Sequence, residues 1–312
     1  MRTITAGEVR AALPMTRAID VMREAFTLLA RGEVEMPLRT AVSLPGGGTF
    51  LTMSARAGSA FGAKLVAVLP HNPARRLPAV QAMVVMFDSE SGAPAALIDG
   101  DALTAIRTGA VSGLATDLLA RPDARRVAIL GSGRQARTQL EAVCAVRAVD
   151  AVTVWSRSAS NAGQFAAEMA GVGGVPRGIA VARSVAAAVD GADIVCTATP
   201  AARPILVAGH VRPGMHINAV GSFTRGMCEF EPGILRDARV IVDQREAALA
   251  EAGEVIAAVE GGLVPAEALI ELGDLVNGAA VGRDHDRAVT LFKSVGLAVQ
   301  DVVAGASLCS GS

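Results

Sequence analysis

The chain has 312 residues, of which 51% are hydrophobic and 19% charged, with a net charge of −1. That length allows one or two sizeable cores, and the near-neutral balance, with no run of Lys or Arg, argues against nucleic acid or an anionic membrane surface as the main partner. No unbroken apolar stretch reaches the ~18 residues of a spanning helix, and Met1-Arg-Thr-Ile-Thr lacks the pattern of a secretory signal. Taken in order, residues 5–31 carry apolar side chains at helical spacing and predict a helix. Strands are expected at 38–44 and 49–53 around a Pro45-Gly-Gly-Gly turn, at 63–68, and at 81–87 and 93–98 around Asp88-Ser-Glu-Ser-Gly92. Successive hairpins of this kind imply an antiparallel sheet. A long helix follows at 103–120 and ends before Arg121-Pro-Asp123.

Beyond that hinge the rhythm becomes strand, helix, strand. Strands are expected at 126–130 and 151–155, helices at 135–146 and 159–170, and further apolar strands at 194–197, 216–220 and 240–242. Alternation of this kind builds a doubly wound parallel sheet, so the fold class is α/β. The tail, from about 286, is expected to begin with a helix.

The segment Val127-Ala-Ile-Leu-Gly131-Ser132-Gly133-Arg134-Gln135-Ala136 follows the pattern G-x-G-x-x-G/A between an expected strand and an expected helix. Gly131 permits the tight turn, Gly133 lets the backbone approach a pyrophosphate, and Ala136 lets helix and strand pack closely; the helix start favours phosphate. At the end of the next strand, NAD binding would call for an Asp or Glu. This chain has Ser156-Arg157-Ser158 instead. Arg157 suits a 2′-phosphate, with the two serines as donors, so NADP(H) is expected to be preferred and NAD(H) to be possible. Thr197-Ala-Thr199 and Val220-Gly221-Ser222, at later strand ends, are further expected cofactor contacts.

Cys144, Cys196, Cys228 and Cys309 form no C-x-x-C pair and read as core filler in a reduced, cytoplasmic protein. His71, His210, His216 and His285 show no ligand spacing, so no metal is expected; His216, which opens an apolar strand, reads as core.

Several segments together resemble the ornithine cyclodeaminase/mu-crystallin family over nearly the whole chain. They are Leu51-Thr-Met53, Gly62-Ala-Lys64, Ala105-Ile-Arg107-Thr-Gly-Ala110, the 131–136 glycine turn, Ile217-Asn-Ala-Val-Gly221, Glu271-Leu-Gly-Asp274 and Thr290-Leu-Phe-Lys-Ser-Val-Gly296. The resemblance implies an antiparallel substrate and dimerisation domain at 1–120, completed by 289–312, and a Rossmann domain at 121–288. It implies a homodimer and a small imino- or amino-acid substrate. It also places the family's carboxylate-binding cations on Arg39, Lys64 and Arg107, and cofactor contact on Thr108. An Arg fork suits a carboxylate. Lys64, buried and near two other cations, should have a lowered pKa and could hold the carboxylate or donate a proton to the product nitrogen.

The family's cyclodeaminases carry an Asp two positions after the glycine of Asn-Ala-Val-Gly, which handles the side-chain amine; here that position is Phe223. A phenyl ring accepts no proton. Glu229, nearby in sequence, could compensate but reads as a surface residue. The expected activity is therefore reduction of a cyclic ketimine, Δ1-pyrroline-2-carboxylate or its six-membered analogue, to proline or pipecolate. Ornithine cyclodeaminase, alanine dehydrogenase and a non-catalytic NADPH-binding protein are the alternatives.

Overall fold

The computed structural model describes residues 1–309 other than Arg76. In chain order it contains β1 (Arg2–Ile4), α1 (Ala6–Ala12), α2 (Met15–Ala30), β2 (Val34–Glu35), β3 (Thr40–Leu44), β4 (Gly48–Ala57), β5 (Ala60–Val68), β6 (Val80–Phe87), β7 (Pro94–Asp99) and α3 (Gly100–Leu119). Then come β8 (Arg126–Leu130), α4 (Arg134–Val146), β9 (Ala151–Trp155), α5 (Ala159–Met169), β10 (Ile179–Val181), α6 (Val185–Val189), β11 (Ile194–Thr197), β12 (His216–Ala219) and β13 (Ala238–Val242). The chain closes with α7 (Arg245–Glu251), α8 (Gly253–Glu260), β14 (Ile270–Glu271), α9 (Leu272–Val276), β15 (Val289–Lys293) and α10 (Ala298–Cys309). Two compact units result: Met1–Arg107 with the chain from Leu297 onward, and Thr108–Gly296.

The first unit is a sheet ordered β1-β7-β6-β5-β4-β2, with β3 also on β4. The expected hairpins are present and antiparallel. β1, which the sequence reading missed, adds parallel to β7. The expected single helix over 5–31 is two helices. Thr5 and Glu8 form a capping box that starts α1, and Pro14, which lacks an N–H and clashes with the preceding turn, stops it and opens α2. Side chains alternate faces along each strand, so the paired row Met53, Lys64, Val84 and Ile98 points one way, and all four are buried. Helix α10 packs against this face; a Cβ on its Gly305 would come within 2.7 Å of Met86 Sδ.

The second unit is an eight-stranded sheet ordered β10-β9-β8-β11-β12-β15-β13-β14, parallel throughout. Its core includes Val127, Ile129, Leu140, Val143, Val152, Val154 and Phe165. The expected helix after 286 is instead strand β15, seated between β12 and β13. Four apolar or β-branched residues in a row, Val289 to Phe292, carry no periodicity that separates strand from helix. Residues 289–296 therefore belong with the parallel sheet, not with the first unit as expected. Among the described residues, no helix is long and apolar enough to cross a membrane.

Candidate active site

In the first unit, Lys64 on the inner face of β5 and Arg107 on α3 converge on one carboxylate. Lys64 Nζ donates to Asp301 Oδ2 at 2.7 Å, and Arg107 Nε donates to Oδ1 at 3.0 Å. Arg107 Nη1 also donates to Gln300 Oε1 at 2.6 Å, which leaves the buried Gln300 Nε2 without a partner. Lys64 and Arg107 are 3% and 4% exposed, and Asp301 and Gln300 are fully buried. Arg39, just before β3, is partly exposed and is a further cation acting on Lys64.

Two buried cations thus share one anion. Burial first, then Arg107, pull the Lys64 ammonium down to about 7; Asp301 works against the fall and Arg39 adds to it. Burial also disfavours the Asp301 carboxylate, but Arg107 and Lys64 outweigh it and hold that pKa below the ordinary value. A positive excess in low-dielectric surroundings favours a carboxylate. Asp301 and Gln300 were missed by the sequence reading. Their signal was an adjacent acid and amide inside the apolar run Leu297-Ala-Val-Gln-Asp-Val-Val-Ala.

In the second unit, the glycine turn joins β8 to α4. Gly131 has φ +123°, and a Cβ there would meet Ala198 O at 2.4 Å. Gly133 is the N-cap of α4, with no side chain capping the helix. Nothing lies within 4 Å of its absent Cβ. Backbone N–H groups are therefore open to a phosphate at the head of a 13-residue helix, and this chain fits a dinucleotide there. Ala136 is fully buried against the sheet. Arg137, also missed from sequence, donates to Ser132 O (2.6 Å) and Gly133 O (3.0 Å) and pairs with Glu168, which braces the turn.

Ser132 Oγ donates to Ser156 Oγ at 2.9 Å, tying the turn to the end of β9. Arg134 and Arg157 are exposed, and Gln135 is half-buried with its Oε1 unpartnered. Ser158 caps α5 by accepting from Asn161 N, which leaves its own proton to donate. Thr108 and Val220 are buried: the Thr108 carbonyl accepts from Gln139 Nε2, and Val220 N donates to Thr197 O.

Glu229 corrects the sequence reading. It is fully buried, not at the surface. Its Oε2 accepts from Thr197 Oγ1 (2.8 Å) and Gly221 N (2.7 Å), and its Oε1 from Thr199 N (2.6 Å) and Thr199 Oγ1 (2.8 Å). Those four bonds use the acceptor positions of an ionised carboxylate, so none remains for a substrate amine. Burial raises its pKa, partly offset by Lys293 and by the threonine hydrogen bonds.

His216 is core, as expected: fully buried, bonded to Thr290 and Asn218, and pushed down to about 3 chiefly by burial. Burial raises Cys196 to about 12, so it stays a thiol. Among the described residues, no cluster of His, Cys, Asp or Glu could hold a metal ion.

A parallel α/β unit with an open glycine turn, joined in one chain to a unit carrying a buried cation cluster, defines a dinucleotide-binding enzyme. The chain belongs to the ornithine cyclodeaminase/mu-crystallin family, whose model matches residues 2–308. It is 37% identical over 310 residues to a Δ1-pyrroline-2-carboxylate reductase of Bacillus cereus, covering 97% of this chain and 94% of that one. It is 38% identical over 276 residues to the ketimine reductase mu-crystallin of Mus musculus, covering 88% of this chain and 84% of that one. The structure matches that of a Δ1-pyrroline-2-carboxylate reductase from Thermococcus litoralis in complex with NADH and L-proline. The TM-score is 0.96 at 36% identity, over 99% of this chain and 97% of that one.

Proposed function

We propose that this chain is an NAD(P)H-dependent reductase of cyclic ketimines, converting Δ1-pyrroline-2-carboxylate, or Δ1-piperideine-2-carboxylate, to proline or pipecolate. The observation that carries this reading is the buried Lys64–Arg107–Asp301 cluster. Phe223 stands where a cyclodeaminase has Asp, and Glu229 is committed to its own chain. The names of the Bacillus cereus and Thermococcus litoralis relatives support the same substrate class.

In this reading Arg107 and Arg39 hold the substrate carboxylate and fix the ring. Gly131, Gly133 and the start of α4 would hold a dinucleotide, and its nicotinamide would supply the hydride that reduces an imine. Lys64, poised near 7, gives its ammonium proton to the imine nitrogen. That transfer leaves a neutral lysine beside Asp301, and solvent reprotonates it. A pKa near the working pH suits both steps.

The test sets NADPH consumption with Δ1-pyrroline-2-carboxylate beside ammonia release from ornithine without added reductant. A reductase consumes NADPH with the imine and releases no ammonia. Ammonia release without NADPH consumption would replace this reading with a cyclodeaminase, and inertness toward both with a binding protein.

NADP(H) preference rests on Arg157 and the two flanking serines. One charge-assisted hydrogen bond is worth roughly 1.5–3 kcal/mol, or about 10- to 150-fold in affinity. Arg157→Ala is therefore expected to raise the NADPH Kd by about that factor and leave the NADH Kd unchanged, as read by fluorescence titration. Equal losses for both cofactors would remove Arg157 from 2′-phosphate recognition.

The homodimer is supported by the outer face of the first sheet. There Val42 and Met83 are exposed, and Phe61 stacks on Phe87 with centroids 5.6 Å apart. An apolar sheet face of this kind is suited to burial against a second copy. Cys144, Cys196 and Cys228 form no disulfide among the described residues, which suits a reducing cytoplasm.

A further inference from the structure

Glu229 links two strand ends that the sequence reading treated separately, and the inference drawn from it rests on the second unit being a dinucleotide site. Thr197 and Thr199 leave the end of β11, and Gly221 leaves the end of β12. β11 and β12 are parallel neighbours, and their carboxyl ends are where open parallel sheets bind ligands. One carboxylate takes hydrogen bonds from both loops. The loops are in contact around it: a Cβ on Gly221 would lie 2.3 Å from Thr199 N and O and 2.5 Å from Glu229 Oε1. The same Thr199 borders the glycine turn, its Cγ2 lying 3.2 Å from the Cβ position of Gly131.

The carboxylate is fixed from behind. Glu229 N donates to Glu254 Oε1 at 2.7 Å, and Ser222 Oγ donates to the same oxygen at 2.5 Å. Lys293, from β15, donates to Ser222 O at 2.6 Å and to Ser222 Oγ, and stands 3.6 Å from Glu254 Oε2. Thr197, Glu229, Glu254 and Lys293 are all fully buried. None offers surface to a ligand, so any effect they have on binding must pass through the backbone they hold.

We propose that Glu229 is a positioning residue for the dinucleotide, setting the spacing of the Thr199 and Gly221 loops against which the cofactor is held. A carboxylate is required because all four partners are used as donors. Gln keeps the shape but turns an NH2 group toward one pair of them, which releases one loop. Thr197→Val removes a single donor from the same carboxylate and leaves the rest of the cluster in place.

The experiment measures NADPH affinity by fluorescence titration, with thermal unfolding on the same samples, for wild type, Glu229→Gln, Thr197→Val and Asp193→Asn. Asp193 is the control. Its carboxylate accepts from Arg125 N and Arg126 N at the opposite end of the same sheet, so its loss destabilises without touching the loops. Each lost hydrogen bond is worth roughly 1 kcal/mol, or about fivefold. Glu229→Gln is thus expected to weaken NADPH at least about tenfold, and Thr197→Val about three- to tenfold. Asp193→Asn is expected to lower the unfolding temperature at unchanged affinity. Wild-type affinity in folded Thr197→Val and Glu229→Gln overturns the proposal, as does an equal loss in Asp193→Asn, which would tie affinity to stability alone. If Glu229→Gln does not fold, Thr197→Val decides. A wild-type protein that binds neither NADPH nor NADH would instead overturn the dinucleotide reading beneath it.

Discussion

Lys64→Ala is expected to bind NADPH normally and to lose ketimine reduction by about 10²- to 10⁴-fold, the usual contribution of a positioned general acid. The hydrogen bond of Lys64 Nζ goes to Asp301 and not to the glycine turn, so cofactor titration should be unaffected. The wild-type pH profile provides an independent check. Lys64 acts as an acid and sits near 7, so kcat/KM should be level below pH 7 and fall tenfold per pH unit above it, provided the substrate does not titrate in that range. Full activity in Lys64→Ala would remove the lysine from the mechanism. A profile that rises above pH 7 would make it a base.

The second large effect is expected at Asp301. Removing one partner of a buried charge cluster leaves the others uncompensated, at a cost of about 3–5 kcal/mol. Asp301→Ala leaves Lys64 and Arg107 buried with no shared anion. Its thermal midpoint should fall by on the order of 10 °C. The catalytic consequence also has a sign. Asp301 raises the Lys64 pKa against burial and Arg107, so its loss moves Lys64 further below 7, and the alkaline fall in rate shifts to lower pH. The milder Asp301→Asn should show the same acid shift with a smaller loss of stability. An unshifted profile in a folded Asp301→Asn protein would mean that Asp301 has no hold on Lys64.

The parallel unit was the most legible part of the chain. Strands at 126–130, 151–155 and 194–197 match β8, β9 and β11 because short apolar runs there alternate with well-formed helical patterns. Pro14 escaped notice because the apolar spacing continues across it, although its missing N–H ends α1. β15 was misread because the short run Val289-Thr-Leu-Phe292, with no alternation of apolar and charged positions, fits a buried strand and a buried helix equally well.

Within the candidate sites, the cations were legible and their anions were not. Lys64 and Arg107 stand out in apolar surroundings. Asp301, Glu229 and Glu254 default to the surface when read one residue at a time, since acids are seldom buried unless paired. Their partners lie far along the chain: Asp301 is 237 residues from Lys64, and Glu254 is 32 from Ser222. Gly221 was visible as a motif glycine, but its tightest neighbours are Thr199 and Glu229 of its own chain.

The most direct measurement uses NADPH deuterated at the transferring C4 position, with Δ1-pyrroline-2-carboxylate as substrate and mass and NMR analysis of the product. A reductase of the kind proposed yields proline carrying one deuterium at Cα for each NADPH consumed. Proline without deuterium at Cα, or no consumption of either NADPH or NADH, would contradict direct hydride transfer to the ketimine carbon.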